Sequence, residues 1–225
     1  MTASGLKLAV FDCDGTLVDS QHHIVAAVVE TWRRHDLPPP AAALVRTGIG
    51  LPLHQTLSRL APDGDAALHD SLTDTYKAVY TAMRQQPDHW EPLYPGVVET
   101  LDRLSAAGWL LGIATGKAKR GLLAVLDMHA LKDRFVVLRT ADDGPGKPHP
   151  FMLTSAMSAI GVEPADTVMI GDTSFDIEMA RAAGTLAVGV SWGYHPIEML
   201  QAAGAHHLVH DYPTLAATLL TRTPS

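Results

Sequence analysis

Two aspartates, separated by a single residue, follow an apolar run near the N-terminus. They are Asp12 and Asp14 in the stretch DCDGT, directly after LKLAVF. In an extended chain, side chains two positions apart point to the same side, so these two carboxylates face one region. Polar side chains hold a similar place in three later stretches: Thr115 in IATG, Lys147 in GPGKPHP and Asp172 in MIGD. Carboxylate, hydroxyl and ammonium groups are the ones that acid–base chemistry and anion binding use.

Short apolar runs that alternate with helical patterns predict the scaffold for these residues. The runs are LKLAVFD, WLLGIATG, FVVLRT, TVMIGD and TLAVGVSWG, with HHLVHD as a sixth candidate. Because they are continuous rather than alternating, they suit strands that are buried on both faces of a parallel sheet. Helical patterns such as PGVVETLDRLSAAG lie between them. This order predicts a doubly wound, Rossmann-like α/β core.

Residues 18–90 interrupt the alternation with helical patterns and no clear strand. Four such patterns are present: HHIVAAVVETWRRHDL, AALVRTG, LPLHQTLSRLA and DAALHDSLTDTYKAVYTAMRQQ. We therefore expect an α/β core domain made of residues 1–17 and 91–225, with an inserted α-helical cap domain at residues 18–90.

The predicted fold brings the polar residues to one crevice. In an open α/β sheet the ligand lies beyond the carboxyl ends of the strands, where Asp12, Asp14, Thr115 and Asp172 fall. Lys147 lies in the loop after the third run. Carboxylates that converge repel one another, so a hard cation such as Mg2+ is their natural partner. Such a metal leaves positions open for phosphate oxygens, and a positive clamp suits a transferring phosphoryl group.

Three familiar site types do not fit the spacing of these stretches. A calcium loop needs its glycine two positions later and a glutamate at the twelfth place, where His23 stands. A cysteine-based phosphatase needs an arginine six residues after the thiol, and Asp19 occupies that place after Cys13. GIATGKA is one residue short of a P-loop and has no Ser or Thr after Lys117.

Four stretches taken in order resemble the motifs of the haloacid dehalogenase (HAD) superfamily. DCDGT is similar to the first motif, the Thr115 of IATG to the second, Lys147 in GKPHP to the third, and GDTSFD to the fourth. The resemblance covers most of the chain and points to the branch of phosphatases with a small helical cap. Phosphoglycolate phosphatase-like enzymes are the nearest of these.

The resemblance implies a role for each motif residue. Asp12 is the expected nucleophile, which becomes an aspartyl-phosphate, and Asp14 the expected general acid and base. Thr115, the backbone N–H of Gly116 and Lys147 are expected to bind the phosphate.

The metal ligands are also implied by the resemblance. Mg2+ is expected to be bound by the Asp12 carboxylate, the Asp14 main-chain carbonyl and Asp172. Asp176 is expected to support the metal or to orient Lys147, although it can also cap the helix that follows.

Several residues near these motifs have plainer interpretations. Asp19 and Ser20 are typical helix N-cap residues, and Cys13 is typical of a small core residue. Three basic residues, Lys117, Lys119 and Arg120, are expected at a solvated helix start, although Lys117 lies close to the phosphate loop in sequence.

Substrate selection is expected to depend on the cap. Arg46 can pair with a substrate carboxylate, or it can be an ordinary surface arginine, and the sequence favours neither. Trp192 and His195 are near a strand end, where packing is the expected role for both.

The composition indicates a folded protein of modest negative charge. The chain has 225 residues, of which 47% are hydrophobic and 18% charged, with a formal net charge of -7, which argues against non-specific nucleic-acid binding. It has one cysteine, no stretch long enough to span a bilayer, and no signal-peptide pattern at the start. We therefore expect a cytoplasmic protein with no membrane or nucleic-acid partner, as a monomer or a homodimer.

The function implied is that of a Mg2+-dependent phosphatase for a small phosphorylated metabolite, with phosphoglycolate as the first candidate. A pyrophosphatase, a nucleotidase, a sugar-phosphate phosphatase and a phosphomutase of the same superfamily share the motifs and stay open. A binding protein for a phosphorylated ligand, without turnover, is the alternative from another class. Intact Asp12, Asp14, Thr115, Lys147 and Asp172 argue against it.

Overall fold

A six-stranded parallel sheet forms the centre of the molecule. A computed structural model describes residues 5–221, so residues 1–4 and 222–225 of the expected core domain lie outside it. The strand order is β3-β2-β1-β4-β5-β6. The strands are β1 (Lys7–Phe11), β2 (Trp109–Ala114), β3 (Val137–Arg139), β4 (Thr167–Gly171), β5 (Leu186–Val190) and β6 (His207–Val209). All six predicted runs form strands, and the predicted fold class is confirmed.

Helices cover both faces of this sheet. They are α5 (Val97–Ala106), α6 (Lys119–Met128), α7 (Phe151–Ile160), α8 (Ser174–Ala182), α9 (Ile197–Ala202) and α10 (Tyr212–Leu220). One apolar cluster packs Phe11 with Leu101 and Leu215, and a second cluster packs Val10 with Met152. Val10 and Phe11 point to opposite faces of the sheet, and both are fully buried because helices cover both faces. For this reason the strand sequence is continuously apolar and does not alternate.

The register of the sheet aligns the ends of its central strands. Phe11, the last residue of β1, pairs with Ile113 of β2 on one side and with Ile170 of β4 on the other. The N–H of Asp12 then donates a 2.9 Å hydrogen bond to the carbonyl of Ile170. From β1 the strand order proceeds to β2 and β3 on one side, and from β4 to β5 and β6 on the other. The boundary between β1 and β4 is therefore the topological switch point, where open α/β sheets bind ligands.

Four helices occupy the segment between β1 and α5, as the sequence predicted. They are α1 (Gln21–Arg34), α2 (Ala42–Arg46), α3 (Leu53–Leu60) and α4 (Ala66–Arg84). They enclose their own apolar cluster, which includes Val28, Trp32, Leu57 and Leu72. This helical segment therefore buries apolar side chains that do not join the sheet's own core.

Two short connections join the helical segment to the sheet. Val18 and Leu93 form an antiparallel bridge. The N–H of Asp19 donates to the carbonyl of Pro92 at 2.9 Å, and that of Tyr94 donates to the carbonyl of Leu17 at 3.0 Å. The entering and leaving segments of chain thus run side by side at one place. Across residues 5–221, every helix is too short or too polar to traverse a bilayer.

Candidate active site

Three buried carboxylates meet beyond the ends of β1 and β4. Asp12 follows β1, Asp172 follows β4, and Asp176 lies in the first turn of α8. One carboxylate oxygen from each lies within 4.8 Å of those from the other two. The alignment of β1 with β4 accounts for the first two, and the start of α8 directly after β4 accounts for the third.

Lys147 is the cation in contact with this cluster. Its Nζ lies 2.7 Å from Asp12 Oδ1 and 2.6 Å from Asp176 Oδ1, and its side chain is fully buried. Burial alone lowers the pKa of Lys147, but the charges of Asp12 and Asp176 outweigh it and raise that pKa. The lysine therefore keeps its positive charge against the two carboxylates.

Asp176 contacts Lys147 and also takes part in the N-terminal cap of α8. Besides contacting Lys147, it accepts hydrogen bonds from the N–H and the hydroxyl of Thr173, at 3.0 and 2.7 Å. The first of these bonds, together with the bond from the Asp176 N–H to the Thr173 hydroxyl, forms the capping box at the start of α8. The helix start therefore fixes the carboxylate that holds Lys147.

Asp172 is oriented by donors on both of its oxygens. The Thr16 hydroxyl donates to Oδ1 and the Tyr194 N–H donates to Oδ2, each at 2.9 Å. Gly15 leaves room for this carboxylate, because a Cβ at that position would lie 2.2 Å from Asp172 Oδ2. Its φ of +85° also favours glycine. Residues of the DCDGT stretch thus shape the surroundings of Asp172.

The donor set of this cluster fits a hard divalent cation. Burial raises the pKa of Asp12 to about 7, against the opposing charge of Lys147. Burial and the charges of Asp12 and Asp176 also raise the pKa of Asp172. Neither oxygen of Asp12, nor Oδ1 of Asp176, accepts a hydrogen bond of normal geometry from the described residues. Three carboxylates against one lysine leave negative charge unbalanced, and oxygen ligands are those that Mg2+ prefers.

Asp14 has its own pair of partners, separate from those of Asp12. The Ser20 hydroxyl donates to Asp14 Oδ1 at 2.5 Å, and Lys117 Nζ donates to the same oxygen at 2.6 Å. Ser20 does precede α1, but its side chain makes no capping hydrogen bond. Ser20 is thus the N-cap residue of α1, as predicted, but its hydroxyl donates to Asp14 instead of capping the helix. Asp19 does accept a long bond, 3.4 Å, from the N–H of Gln21 in the first turn.

The prediction that Lys117 is solvated was wrong. Only 9% of its side chain is exposed, and its Nζ lies 3.4 Å from Glu91 Oε2 as well as contacting Asp14. Burial opposes its charge, but the charge of Asp14 outweighs burial and the pKa of Lys117 is raised. Lys119 and Arg120 are exposed, as predicted. Lys117 differs from them because it precedes α6, in the loop next to Asp14.

Glu91 is a buried charged residue that the sequence did not single out. Its side chain is fully buried and accepts hydrogen bonds from the Tyr80 hydroxyl at 2.9 Å and from His89 Nε2 at 3.1 Å. Burial raises its pKa, but Lys117 and these two donors together leave the pKa lowered. The stretch HWEPLYPG gives little sign of this, because two of the partners of Glu91, Tyr80 and Lys117, lie elsewhere in the chain.

Thr115 and Gly116 directly follow β2 and line the cavity wall with Asp12 and Asp14. Thr115 is buried, and its hydroxyl accepts a 3.2 Å hydrogen bond from the N–H of Lys117. A Cβ on Gly116 would lie 2.8 Å from the carbonyl oxygen of Gly50 and 3.0 Å from that of Leu51. The helical segment therefore packs directly onto the loop after β2, and only glycine permits the approach.

A cavity of about 380 Å³ lies between the sheet and the helical segment. Asp12, Asp14, Thr115, Gly116 and Lys117 line its polar side. Apolar side chains of the helical segment line the other side, among them Ile24, Ile49, Leu51, Leu53 and Tyr76. Its volume falls near the small end of the range for small-molecule pockets.

Two cationic residues of the helical segment line this cavity: Arg84 and the exposed Lys77. Arg46, which the sequence singled out, is not one of them. Arg46 donates from Nε to the Gln21 side chain at 2.8 Å and lies outside the cavity wall. No motif marks Arg84, which ends a long helical pattern in the sequence.

The remaining predictions near the site concern packing, and they hold. Cys13 is fully buried, and burial raises its pKa, so the thiol is protonated. Trp192 packs against the core and donates from Nε1 to the Thr16 carbonyl at 3.1 Å. His195 is buried, and its Nδ1 accepts a 3.0 Å bond from the Ser174 N–H while Nε2 lies 3.2 Å from the Thr47 carbonyl.

Comparison with known proteins agrees with this arrangement. A family model described as haloacid dehalogenase-like hydrolase matches residues 9–190. A phosphoglycolate phosphatase from Caulobacter vibrioides is 36% identical over 222 residues, which cover 96% of this chain and 92% of that protein. Pyrophosphatase PpaX from Bacillus pumilus is 33% identical over 201 residues, covering 89% of this chain and 90% of that protein. A haloacid dehalogenase-like hydrolase from Bacteroides fragilis has a crystal structure with a TM-score of 0.86 and 26% identity, covering 93% of this chain and 99% of that one.

The chain belongs to the haloacid dehalogenase-like hydrolase family, and the predicted resemblance is confirmed. The family match and the curated relatives indicate a phosphoric monoester hydrolase.

Proposed function

We propose that this protein is a Mg2+-dependent phosphatase that hydrolyses a small phosphomonoester through an aspartyl-phosphate, with phosphoglycolate as the first candidate. The observation that carries the proposal is Asp12, a buried carboxylate on the cavity wall with Lys147 Nζ at 2.7 Å and two further carboxylates beside it. Such a group is shielded from bulk water yet open to a ligand in the cavity.

Asp12 is the nucleophile in this proposal. Its carboxylate attacks phosphorus, the leaving oxygen departs, and the phosphoryl group stays on Asp12 until water removes it. Lys147 neutralises the carboxylate and the incoming phosphate oxygens. The Thr115 hydroxyl and the Gly116 N–H, at the neighbouring strand end, bind the remaining phosphate oxygens.

Asp14 is the general acid and base. It protonates the leaving oxygen in the first step and takes a proton from water in the second. The bonds from Ser20 and Lys117 hold its carboxylate in place on the cavity wall. Asp12 and Asp14 thus have separate partners, which suits two carboxylates with different tasks.

The residues that would hold Mg2+ are the Asp12 carboxylate, the Asp14 main-chain carbonyl and Asp172, with Asp176 in support. When bound, the metal supplies positive charge to the carboxylates and to the phosphate oxygens. The contacts of Asp172 with Thr16 and Tyr194 support this assignment because they point a fixed carboxylate at the cluster.

Residues 18–90 are the proposed cap domain. Their helices line the apolar side of the cavity, and their chain reaches the Thr115–Gly116 loop at Gly50. A cap in this position excludes water from the reaction and contacts the leaving group.

Pyrophosphate is the second candidate substrate, since a pyrophosphatase is among the relatives at 33% identity. The cavity volume of about 380 Å³ favours compact substrates such as these over nucleotides. Sugar phosphates, phosphoryl transfer to a second sugar phosphate, and ligand binding without turnover are distinguished by the same assay.

The proposal is tested by phosphate release from phosphoglycolate, pyrophosphate, sugar phosphates and nucleotides, with Mg2+ and with EDTA. We expect release that requires Mg2+ and is highest, in kcat/KM, for phosphoglycolate or pyrophosphate. The Asp12→Asn variant keeps the shape of the side chain but not the nucleophile, so its kcat is expected to fall by about 1,000-fold or more. Release that persists in EDTA, or in the variant, would contradict the mechanism, and phosphate transferred to a second sugar phosphate would indicate a mutase.

A further inference from the structure

Arg84 provides a buried hydrogen-bond donor that nothing in the described chain uses. It is the last residue of α4 and lines the cavity. Its Nη1 atom is buried and has no hydrogen-bond partner among residues 5–221. A guanidinium has five N–H donors in a planar fork, and a charged donor that is withdrawn from water without an acceptor costs free energy. The described chain therefore leaves this donor without an acceptor, in a guanidinium that belongs to a residue of the cavity wall.

The other cations of the cavity wall differ from Arg84. Lys117 is already paired with Asp14 and Glu91. Lys77 is exposed and lies 3.6 Å from Asp74, and Arg120 is exposed. Among the described residues of the wall, Arg84 is thus the partly buried cation without a carboxylate contact.

Packing holds the Arg84 guanidinium in place. Its Cζ lies 5.7 Å from the centroid of the Tyr80 ring, and the Tyr80 hydroxyl is itself fixed by its bond to Glu91. Gly121, in the first turn of α6, is also close, because a Cβ at that position would come 3.1 Å from Arg84 Nη1. The guanidinium therefore lies between the cap helix α4 and the helix that follows the Thr115–Gly116 loop.

We propose that Arg84 binds a second anionic group on the leaving-group part of the substrate, which would make the enzyme selective for small phosphate compounds that carry two anionic ends. This inference rests on the proposed phosphatase function. A carboxylate or a second phosphate accepts two parallel bonds from a guanidinium, so either group suits the site.

The test compares three phosphate compounds in the wild type and in Arg84→Gln. Phosphoglycolate carries a carboxylate, pyrophosphate carries a second phosphate, and ethyl phosphate carries a neutral end of similar size. We expect Arg84→Gln to raise KM for the better of the two compounds with a second anionic end by about 10–100-fold, the usual effect of losing a charged hydrogen bond. For ethyl phosphate, kcat and KM should change by less than about twofold. Whichever compound loses more identifies the anion as carboxylate or phosphate.

Arg120→Gln is the matched control, because it removes the same charge from an exposed position on the same wall. It is expected to leave all three KM values within about twofold of the wild type. If Arg84→Gln and Arg120→Gln raised KM by the same factor, the inference would be overturned in favour of a general charge effect. It would also be overturned if Arg84→Gln weakened all three compounds equally, or none.

A binding measurement separates failure of this inference from failure of the proposed function. Titration of phosphoglycolate and of pyrophosphate into Asp12→Asn protein, with and without Arg84→Gln, requires no turnover. Weaker binding in the double variant, together with a wild type that releases no phosphate from any compound, would overturn the proposed function alone. Equal binding of both compounds with and without Arg84 would overturn the inference, whether or not the wild type is active.

Discussion

At the scale of single residues, each aspartate of the DCDGT stretch has its own lysine. Lys147 contacts Asp12 and Asp176, whereas Lys117 contacts Asp14 and Glu91. These carboxylates raise the pKa of both lysines, which therefore stay charged. Two identical side chains, two residues apart, therefore have different surroundings, and such a difference is how a pair of carboxylates acquires separate roles.

The Lys117 pair predicts a large loss of stability when the charge is removed. In Lys117→Met, the methylene chain keeps its packing, but Asp14 and the buried Glu91 lose their cation. Leaving a buried charge without its partner costs about 3 kcal/mol or more. Urea unfolding at pH 7 should show a loss of this size. Lys119→Met, at an exposed site two residues away, is the control and should change the free energy of unfolding by less than about 0.5 kcal/mol. If both substitutions changed the free energy of unfolding by similar amounts, the contacts of Lys117 with Asp14 and Glu91 would make no specific contribution to stability.

At the scale of elements, His195 connects the start of α8 with the helical segment. Because the Ser174 N–H donates to Nδ1, the proton of the neutral ring is on Nε2, which donates to the Thr47 carbonyl. Burial lowers the pKa of His195, and the bond to Thr47 and the charge of Asp176 oppose this only in part. One imidazole thus joins the helix that carries Asp176 to the loop before α3, provided that the ring stays neutral.

This contact predicts a pH dependence of stability with a definite sign. The unfolded ring titrates near pH 6.5, whereas the folded ring binds its proton only at lower pH. The stability that the neutral His195 ring contributes to the folded protein is therefore complete above pH 6.5 and is lost as the pH falls below it.

Urea unfolding of His195→Gln at pH 7.5 and 5.5 measures this effect. The variant should be less stable than the wild type by about 1 kcal/mol at pH 7.5, and the difference should narrow at pH 5.5. His207→Gln, which changes an exposed histidine, should show no such narrowing. A difference that stays constant or widens as the pH falls would contradict the contact.

At the scale of the whole molecule, the sheet and the motif residues were accessible from the sequence. Continuous apolar runs identify strands that are buried on both faces, and all six runs form strands. Because parallel strands end at one edge, the positions of Asp12, Thr115 and Asp172 at three strand ends were enough to bring them together. Local order along the chain determines that part of the site.

The residues that the sequence missed depend on contacts between distant elements. Lys117 and Glu91 are buried because the connection to α5 passes beside the loop after β2, which no local pattern records. Arg84 reaches the cavity because α4 ends there, whereas Arg46, the cap arginine that the sequence singled out, bonds to Gln21. The side chains that the helical segment brings to the cavity depend on how its helices pack onto the sheet, so spacing along the chain does not determine them.

The proposed mechanism depends on transfer of the phosphoryl group to Asp12. Borohydride reduces an acyl phosphate to an alcohol, so treatment during turnover with phosphoglycolate and Mg2+ should convert Asp12 into homoserine. Mass spectrometry of the peptide containing DCDGT should find this change only when substrate is present, and never in Asp12→Asn. Phosphate release without any reduced residue, or with the reduction at another aspartate, would contradict the mechanism.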